Sequence, residues 1–209
     1  MDIKDRIDPL IEERAPWLFA PQLHARLSRK LLDRVLGYER TMEIGNMVKD
    51  LSADEIMRTV GEMLAHDVQI TGLANIPSHG PALIVANHPT GIADGVMLHH
   101  MLRPVRNDTY YFANHDIMRV LPQYTQMIAP VEWRQEKRSH AKMRETMAYT
   151  RKAVEEGRLG VIFPSGRLAK RRGLSLHEHP WMASAAMIAR KFDLPVIPVN
   201  SRARNSVLF

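Results

Sequence analysis

Between Ala82 and Val199 the chain sets short apolar runs between stretches of helical periodicity, and this alternation restricts its fold more than any other feature. The runs at Ala82–Ala86, Thr109–Phe112, Gln126–Val131, Gly160–Phe163 and Pro195–Val199 are short, and several are apolar at successive positions, the pattern of strands covered on both faces. An earlier run, Val68–Thr71, reads as a further strand. Helical candidates fall between them at Ala93–Leu102, Ser139–Glu156 and Trp181–Phe192, the second with Ser139 as its cap and Gly157 as its stop. Strands alternating with helices predict an α/β fold, a layered sheet flanked by helices with its chemistry at the carboxyl ends of strands. A chain of 209 residues fills one such core, with an appendage at most.

Before Val68 the periodicity is helical throughout. The expected organisation is therefore an N-terminal helical segment over residues 1–67 and an α/β domain over residues 68–209. The close on Ser206-Val207-Leu208-Phe209, apolar residues after a strand, reads as a domain cut short at its C-terminus. A helix from Ser52 to about His66 carries a capping box through Ser52 and Glu55. From Pro21 to Leu36, Leu23, Leu27, Leu31, Leu32, Val35 and Leu36 recur at helical spacing with Arg26, Arg29, Lys30 and Arg34 between them, just after Trp17, Leu18 and Phe19. That composition suits a helix lying in a membrane surface and equally a helix packed on its own domain.

Charge and cysteine content narrow the chemistry. The 29 Lys and Arg against 23 Asp and Glu leave a formal charge of +6, which favours nucleic acid, anionic lipid, nucleotide cofactors or an acidic carrier protein as partners. The absence of cysteine excludes disulfides, thiolate nucleophiles and Cys-ligated metals. The charged opening Met1-Asp2-Ile3-Lys4-Asp5-Arg6 has no apolar signal core, and no window approaches the roughly 20 apolar residues of a membrane span, so the chain reads as intracellular. Aromatic residues are spread too thinly for a nucleic-acid platform. His177-Glu178-His179 and His99-His100 hold metal-ligand residue types, but no helix-borne His-Glu-x-x-His pattern supports a zinc hydrolase.

Two stretches carry candidate chemistry. In Ala82-Leu83-Ile84-Val85-Ala86-Asn87-His88-Pro89-Thr90-Gly91-Ile92-Ala93-Asp94-Gly95, an apolar strand delivers Asn87 and His88 to a Pro and Gly turn, and Asp94 opens the next helix. A neutral imidazole takes a proton from a hydroxyl, and a carboxylate beside it fixes the tautomer. A loop histidine next to a helix-capping aspartate would read the same way. In Val161-Ile162-Phe163-Pro164-Ser165-Gly166-Arg167-Leu168-Ala169-Lys170-Arg171-Arg172, a second strand ends in a turn followed by a cationic tract suited to an oxyanion or phosphate, or simply to solvent.

Together these stretches resemble the glycerophosphate and lysophospholipid acyltransferase superfamily, whose motifs are Asn-His then Asp, a Phe-Pro-Glu-Gly turn with basic residues, and a Val-Pro-Val-like strand. Here they read Asn87-His88 with Asp94, Phe163-Pro164-Ser165-Gly166-Arg167, and Val196-Ile197-Pro198-Val199, in the family's order over roughly residues 68 to 200. The Gly72-Leu73-Ala74-Asn75-Ile76-Pro77 entry to the first strand is also similar. The wording around His88 looks closest to a bacterial hemolysin-like or lyso-ornithine-lipid acyltransferase-like branch.

The resemblance implies transfer of a fatty acyl group, without any further cofactor or metal, from acyl-CoA or acyl carrier protein to a hydroxyl of a lyso-lipid. His88 would be the general base and Asp94 its orienting partner. Asn87, Arg134, Phe163, Pro164, Ser165, Gly166 and Arg167 would bind substrate, with the Gly166 backbone and Arg167 facing the oxyanion or a phosphate. Lys170, Arg171 and Arg172 would hold the carrier's phosphates. The enzyme would work on an anionic membrane surface, peripherally on its cytoplasmic face, with no nucleic acid involved. Two departures stand out. Five residues rather than four separate His88 from Asp94, which Gly91 is expected to absorb. Ser165 replaces the family's glutamate, which speaks against glycerol 3-phosphate as the acceptor. Both departures also suit a non-catalytic lipid-binding or membrane-surface protein that keeps the fold.

Overall fold

The computed structural model describes residues 2–66, 68–132, 134, 137, 139–173 and 175–202. The apolar C-terminal residues Ser206 to Phe209 lie outside that set. By packing, the chain divides into two compact units, Met1–Ser52 with Asp116–Tyr124, and Ala53–His115 with Thr125–Phe209.

The larger unit is an α/β sheet domain. Strands β1 (Ala82–Ala86), β2 (Thr109–Asn114), β3 (Ile128–Val131), β4 (Leu159–Ile162) and β7 (Val196–Val199) form one sheet in the order β3-β2-β4-β1-β7. All neighbouring pairs are parallel, with Ile84 opposite Val161 and Ile197. Parallel pairing explains the continuous apolar runs, since β1 and β4 are buried at every position. Proline sits in both edge strands, Pro130 in β3 and Pro198 in β7, where the missing N–H breaks no ladder on the outer side. The run Val68–Thr71, expected as a strand, joins no strand among the described residues, and Ile70 is left exposed.

Helices α4 (Ala53–Leu64), α5 (Ile92–Leu102), α7 (His140–Glu155) and α8 (Ser184–Phe192) flank the sheet. The connection from β1 to β2 runs in the opposite direction across the sheet from those joining β3 to β4 and β4 to β7. With right-handed crossovers this sends α5 to one face and α7 and α8 to the other. The packing agrees. Leu83, Val85, Tyr110, Phe112 and Ile162 form one apolar layer with Ala153 of α7 and Ile188 of α8. On the opposite face His99 of α5 meets Thr109, its Nδ1 lying 3.1 Å from Thr109 Oγ1. Gly160 in the middle of β4 lets the Tyr110 ring lie directly over it, because a Cβ there would come within 2.8 Å of the ring. The Ser139 hydroxyl caps α7, accepting the Lys142 N–H at 3.3 Å as the sequence indicated. Sequence placed α4 with the N-terminal helices, whereas it packs on α5 and its Asp54 Oδ1 lies 3.2 Å from His99 Nε2.

A two-stranded antiparallel hairpin, β5 (Lys170–Arg172) and β6 (Ser175–His177), follows the Phe163 turn. Sequence analysis reads this stretch only as a cationic tract and does not expect a strand, because three successive cations carry no apolar alternation.

The smaller unit holds α1 (Lys4–Glu12), α2 (Leu23–Val35), α3 (Tyr38–Val48) and α6 (Asp116–Val120). Its two chain segments are joined by ion pairs from Arg14 to Asp116 at 2.6 Å and from Arg119 to Glu13 at 2.5 Å, and by Arg6 donating to the Val120 carbonyl at 3.0 Å. Within it α2 turns Ala25 inward and leaves Leu23, Leu27, Leu31 and Val35 exposed by 70, 58, 63 and 47%. Arg29 does not share that outer face: it donates to Asp8 at 2.8 Å and stacks over the Phe19 ring at 4.0 Å. No helix among the described residues is long and apolar enough to cross a membrane.

Candidate active site

The carboxyl end of β1 brings His88 and Asp94 together. Asp94 lies in the first turn of α5, almost fully buried, and its Oδ2 is 2.9 Å from His88 Nδ1. The same oxygen accepts the N–H groups of Thr90 at 2.8 Å and Gly91 at 2.9 Å, and the Thr90 hydroxyl donates to Oδ1 at 2.5 Å. Gly91 absorbs the extra residue of the spacing by adopting φ 87° and ψ −132°, a conformation closed to other residues. Leu168 covers it so closely that a Cβ would come within 2.9 Å of Cδ2. Sequence reasoning missed Thr90, whose signal is its place inside the His-to-Asp loop, where a side-chain donor meets a buried carboxylate.

Phe163, at the end of the neighbouring strand β4, stacks on the His88 imidazole with centroids 4.3 Å apart and planes 21° from parallel. Asp94 fixes one edge of the ring and Phe163 one face. The His88 side chain stays 19% exposed, and among the described residues nothing bonds its Nε2. A carboxylate only accepts, so Nδ1 carries the proton toward Asp94 and the neutral ring presents a lone pair at Nε2.

The other residues singled out from the sequence are placed differently. Both ends of the Asn87 amide are engaged by the Ser201 main chain, Nδ2 donating to its carbonyl at 2.9 Å and Oδ1 accepting its N–H at 2.7 Å. Asn87 thus prolongs the β1–β7 ladder beyond Ala86 and Val199 rather than facing a ligand. In the turn after β4 the Gly166 N–H donates to the Phe163 carbonyl at 2.9 Å, so that donor is spent on closing the turn and is not available to an oxyanion. Ser165 is 5% exposed and its hydroxyl donates to the Arg167 carbonyl at 2.9 Å. The Pro164 carbonyl accepts the Met182 N–H at 3.0 Å.

Arg167, Lys170, Arg171 and Arg172 are exposed, and among the described residues no carboxylate pairs with them. Arg134, after edge strand β3, is three strands from β1, about 14 Å across the sheet at the usual strand spacing. It bonds Glu132, Nε to Oε1 at 3.0 Å, while Lys142 takes Oε2 at 2.7 Å. The Arg134 guanidinium, aided by Lys142, holds the Glu132 carboxyl well below the ordinary carboxylate range although its burial works the other way.

Glu178, just beyond β6, sets both carboxylate oxygens 3.2 Å from the His88 main-chain N–H. Sequence had grouped it with the flanking histidines as a metal-type residue; its neighbour is a main-chain donor. An apolar cleft of about 210 Å³ opens beside the Phe163 turn, lined by Val85, Pro164, Trp181, Met182, Ala185 and Val196.

The Acyltransferase family model matches residues 67–202, which takes in the whole sheet and both turns described above. Over 148 residues the chain is 26% identical to a lyso-glycine lipid O-acyltransferase of Phocaeicola vulgatus, covering 71% of this chain and 51% of that protein. Over 205 residues it is 21% identical to a lyso-glycine lipid O-acyltransferase of Bacteroides thetaiotaomicron, covering 97% of this chain and 72% of that protein. The match to the first of these relatives spans about half of that relative's length. A parallel α/β sheet with an Asn-His and Asp pair at the end of β1, and a family match over most of its length, establish that the chain belongs to the Acyltransferase family.

Proposed function

We propose that the protein is an O-acyltransferase that moves a fatty acyl group from an acyl thioester, carried by coenzyme A or acyl carrier protein, to a hydroxyl of a lyso-lipid. The observation that carries this reading is the His88–Asp94 pair, held at 2.9 Å with Nε2 open. The acceptor hydroxyl gives its proton to Nε2 as its oxygen attacks the thioester carbonyl carbon. Asp94 stabilises the imidazolium that results. The tetrahedral intermediate then expels the thiolate, the C–S bond breaks, and the proton passes from Nε2 to sulfur. With the Gly166 N–H engaged, Arg167, exposed and without a carboxylate partner among the described residues, is the group of this turn suited to the developing oxyanion or to a carrier phosphate.

Supporting features extend the reading to the substrates. The apolar cleft beside the turn has the chemistry an acyl chain requires. The cationic β5–β6 hairpin suits an anionic carrier. Relatives named for a lyso-glycine lipid favour a lyso-lipid acceptor of that kind over glycerol 3-phosphate. The exposed leucine stripe of α2, with Arg26, Lys30 and Arg34 also exposed, favours attachment to an anionic membrane surface, on the cytoplasmic side where thioester donors are found. The His88–Asp94 contact across the five-residue spacing, made with Gly91 at φ 87°, supports the catalytic reading over a non-catalytic lipid binder.

Incubation with labelled acyl-CoA or acyl carrier protein and a panel of lyso-lipids tests the proposal. A labelled lipid should form with wild type, and His88→Ala should reduce the rate about 10²- to 10⁴-fold. Undiminished transfer by a folded His88→Ala protein would overturn it.

A further inference from the structure

Beyond Ala86 and Val199 the strand pairing around β1 stops, and the His88 peptide has no sheet partner for its N–H or its carbonyl. Both are nevertheless engaged, and both by the roots of the same hairpin. The Ala169 N–H, one residue before β5, donates to the His88 carbonyl at 3.0 Å. The Glu178 carboxylate, one residue after β6, accepts the His88 N–H with each oxygen at 3.2 Å. The hairpin therefore grips the main chain of His88 from both sides, while Asp94 and Phe163 fix its ring.

Chemistry singles out Glu178 within this arrangement. Asp94 already accepts from four donors, and Glu132 is committed to Arg134 and Lys142. Ser165, where a longer acidic side chain would reach the turn, spends its hydroxyl on the Arg167 carbonyl. Glu178 has no bond among the described residues other than the one to His88. The His88 N–H is shared between both Glu178 oxygens, and among the described residues this side chain is the acceptor the fold supplies to it, so its loss would leave that N–H without a protein partner.

On the acyl-transfer reading given above, we propose that Glu178 is a positioning residue for His88, fixing the peptide from which the general base projects. It acts through the main chain and does not touch the reacting atoms. Displacing that peptide by about 1 Å would carry Nε2 out of line with the acceptor hydroxyl, an error that costs on the order of 10²-fold in rate.

Steady-state transfer assays on the full chain test this with Glu178→Ala, Glu178→Gln and Glu178→Asp beside wild type and His88→Ala. Glu178→Ala should lose about 10- to 100-fold in kcat with KM for donor and acceptor within about twofold, and its melting temperature should change little. Glu178→Gln keeps an acceptor at the same reach and should recover to within about threefold of wild type. Glu178→Asp keeps the charge but withdraws it by one methylene, and it should behave like Ala; should the Ala variant not fold, this comparison of Asp with Gln decides the matter alone. Wild-type kcat in the Ala or Asp variant overturns the inference, as does a loss in Ala that Gln fails to restore. Full activity of His88→Ala would instead strike the acyl-transfer reading, so the two failures are distinguishable.

Discussion

Asp94→Asn isolates the charge of Asp94 from its shape. Oδ2 accepts from His88 Nδ1 at 2.9 Å, Thr90 N at 2.8 Å and Gly91 N at 2.9 Å, while Oδ1, among the described residues, accepts only from the Thr90 hydroxyl. An asparagine placed with its carbonyl oxygen at the Oδ2 position keeps the first three bonds. Its amide then faces a hydroxyl that rotates to accept instead of donate. The His88 tautomer survives, the turn survives, and the negative charge beside the imidazolium is gone. Charge centres about 4 Å apart attract by about 4 kcal/mol at an effective dielectric constant near 20, and by about 1 kcal/mol in water. The pair is mostly buried, with side chains 2 and 19% exposed, and the amide dipole retains part of the attraction. A net loss of about 2 to 3 kcal/mol follows, or roughly 30- to 150-fold in kcat. Thiol release from acyl-CoA in the presence of acceptor measures it, with thermal unfolding as the control. A kcat within about threefold of wild type would refute electrostatic stabilisation by Asp94. A loss near 10⁴-fold would show that the tautomer is lost as well.

Three further outcomes are expected. Replacing Arg26, Lys30 and Arg34 of α2 with Gln, leaving Arg29 on Asp8, should weaken binding to anionic vesicles roughly 100-fold at about 1 kcal/mol per charge, and co-sedimentation that is unchanged would refute the membrane role of α2. Ser165→Glu forces a carboxylate into a position only 5% exposed and breaks the bond to the Arg167 carbonyl, so it should lower the melting temperature and bring no gain in kcat/KM with glycerol 3-phosphate. Burial lowers the ionisation of His99 below its ordinary 6.5, against the pull of Asp54 and with Arg103 and His100 adding to the shift. The stability this neutral ring contributes is complete above pH 6.5 and is lost as the pH falls below it, because the unfolded chain then takes up a proton that the folded chain resists. Unfolding temperatures between pH 7.5 and 5.5 should therefore fall less in His99→Gln than in wild type.

The strands of the sheet were legible because parallel strands buried on both faces must be short and apolar without interruption, as Leu83, Ile84 and Val85 are. Val68–Thr71 fits the same local pattern and is no strand, since pairing depends on where the segment comes to rest against the sheet and not on its local composition. The His88–Asp94 pair was legible too, because a strand, a glycine turn and a helix start leave the two side chains little choice but to meet. Neither spacing nor composition could distribute the remaining polar groups. Asn87, Ser165 and the Gly166 N–H all stand in the motifs, yet each is consumed by a main-chain partner, Ser201, Arg167 and Phe163. Those partners are decided by where separate segments come to rest. The same holds for Glu178, ninety residues from His88 and invisible as its partner until the hairpin folds back. Local sequence determines which residues arrive at a strand end. Only tertiary structure decides which of them keep a free hydrogen-bonding atom there, because buried donors and acceptors are claimed by whatever the fold brings within about 3 Å.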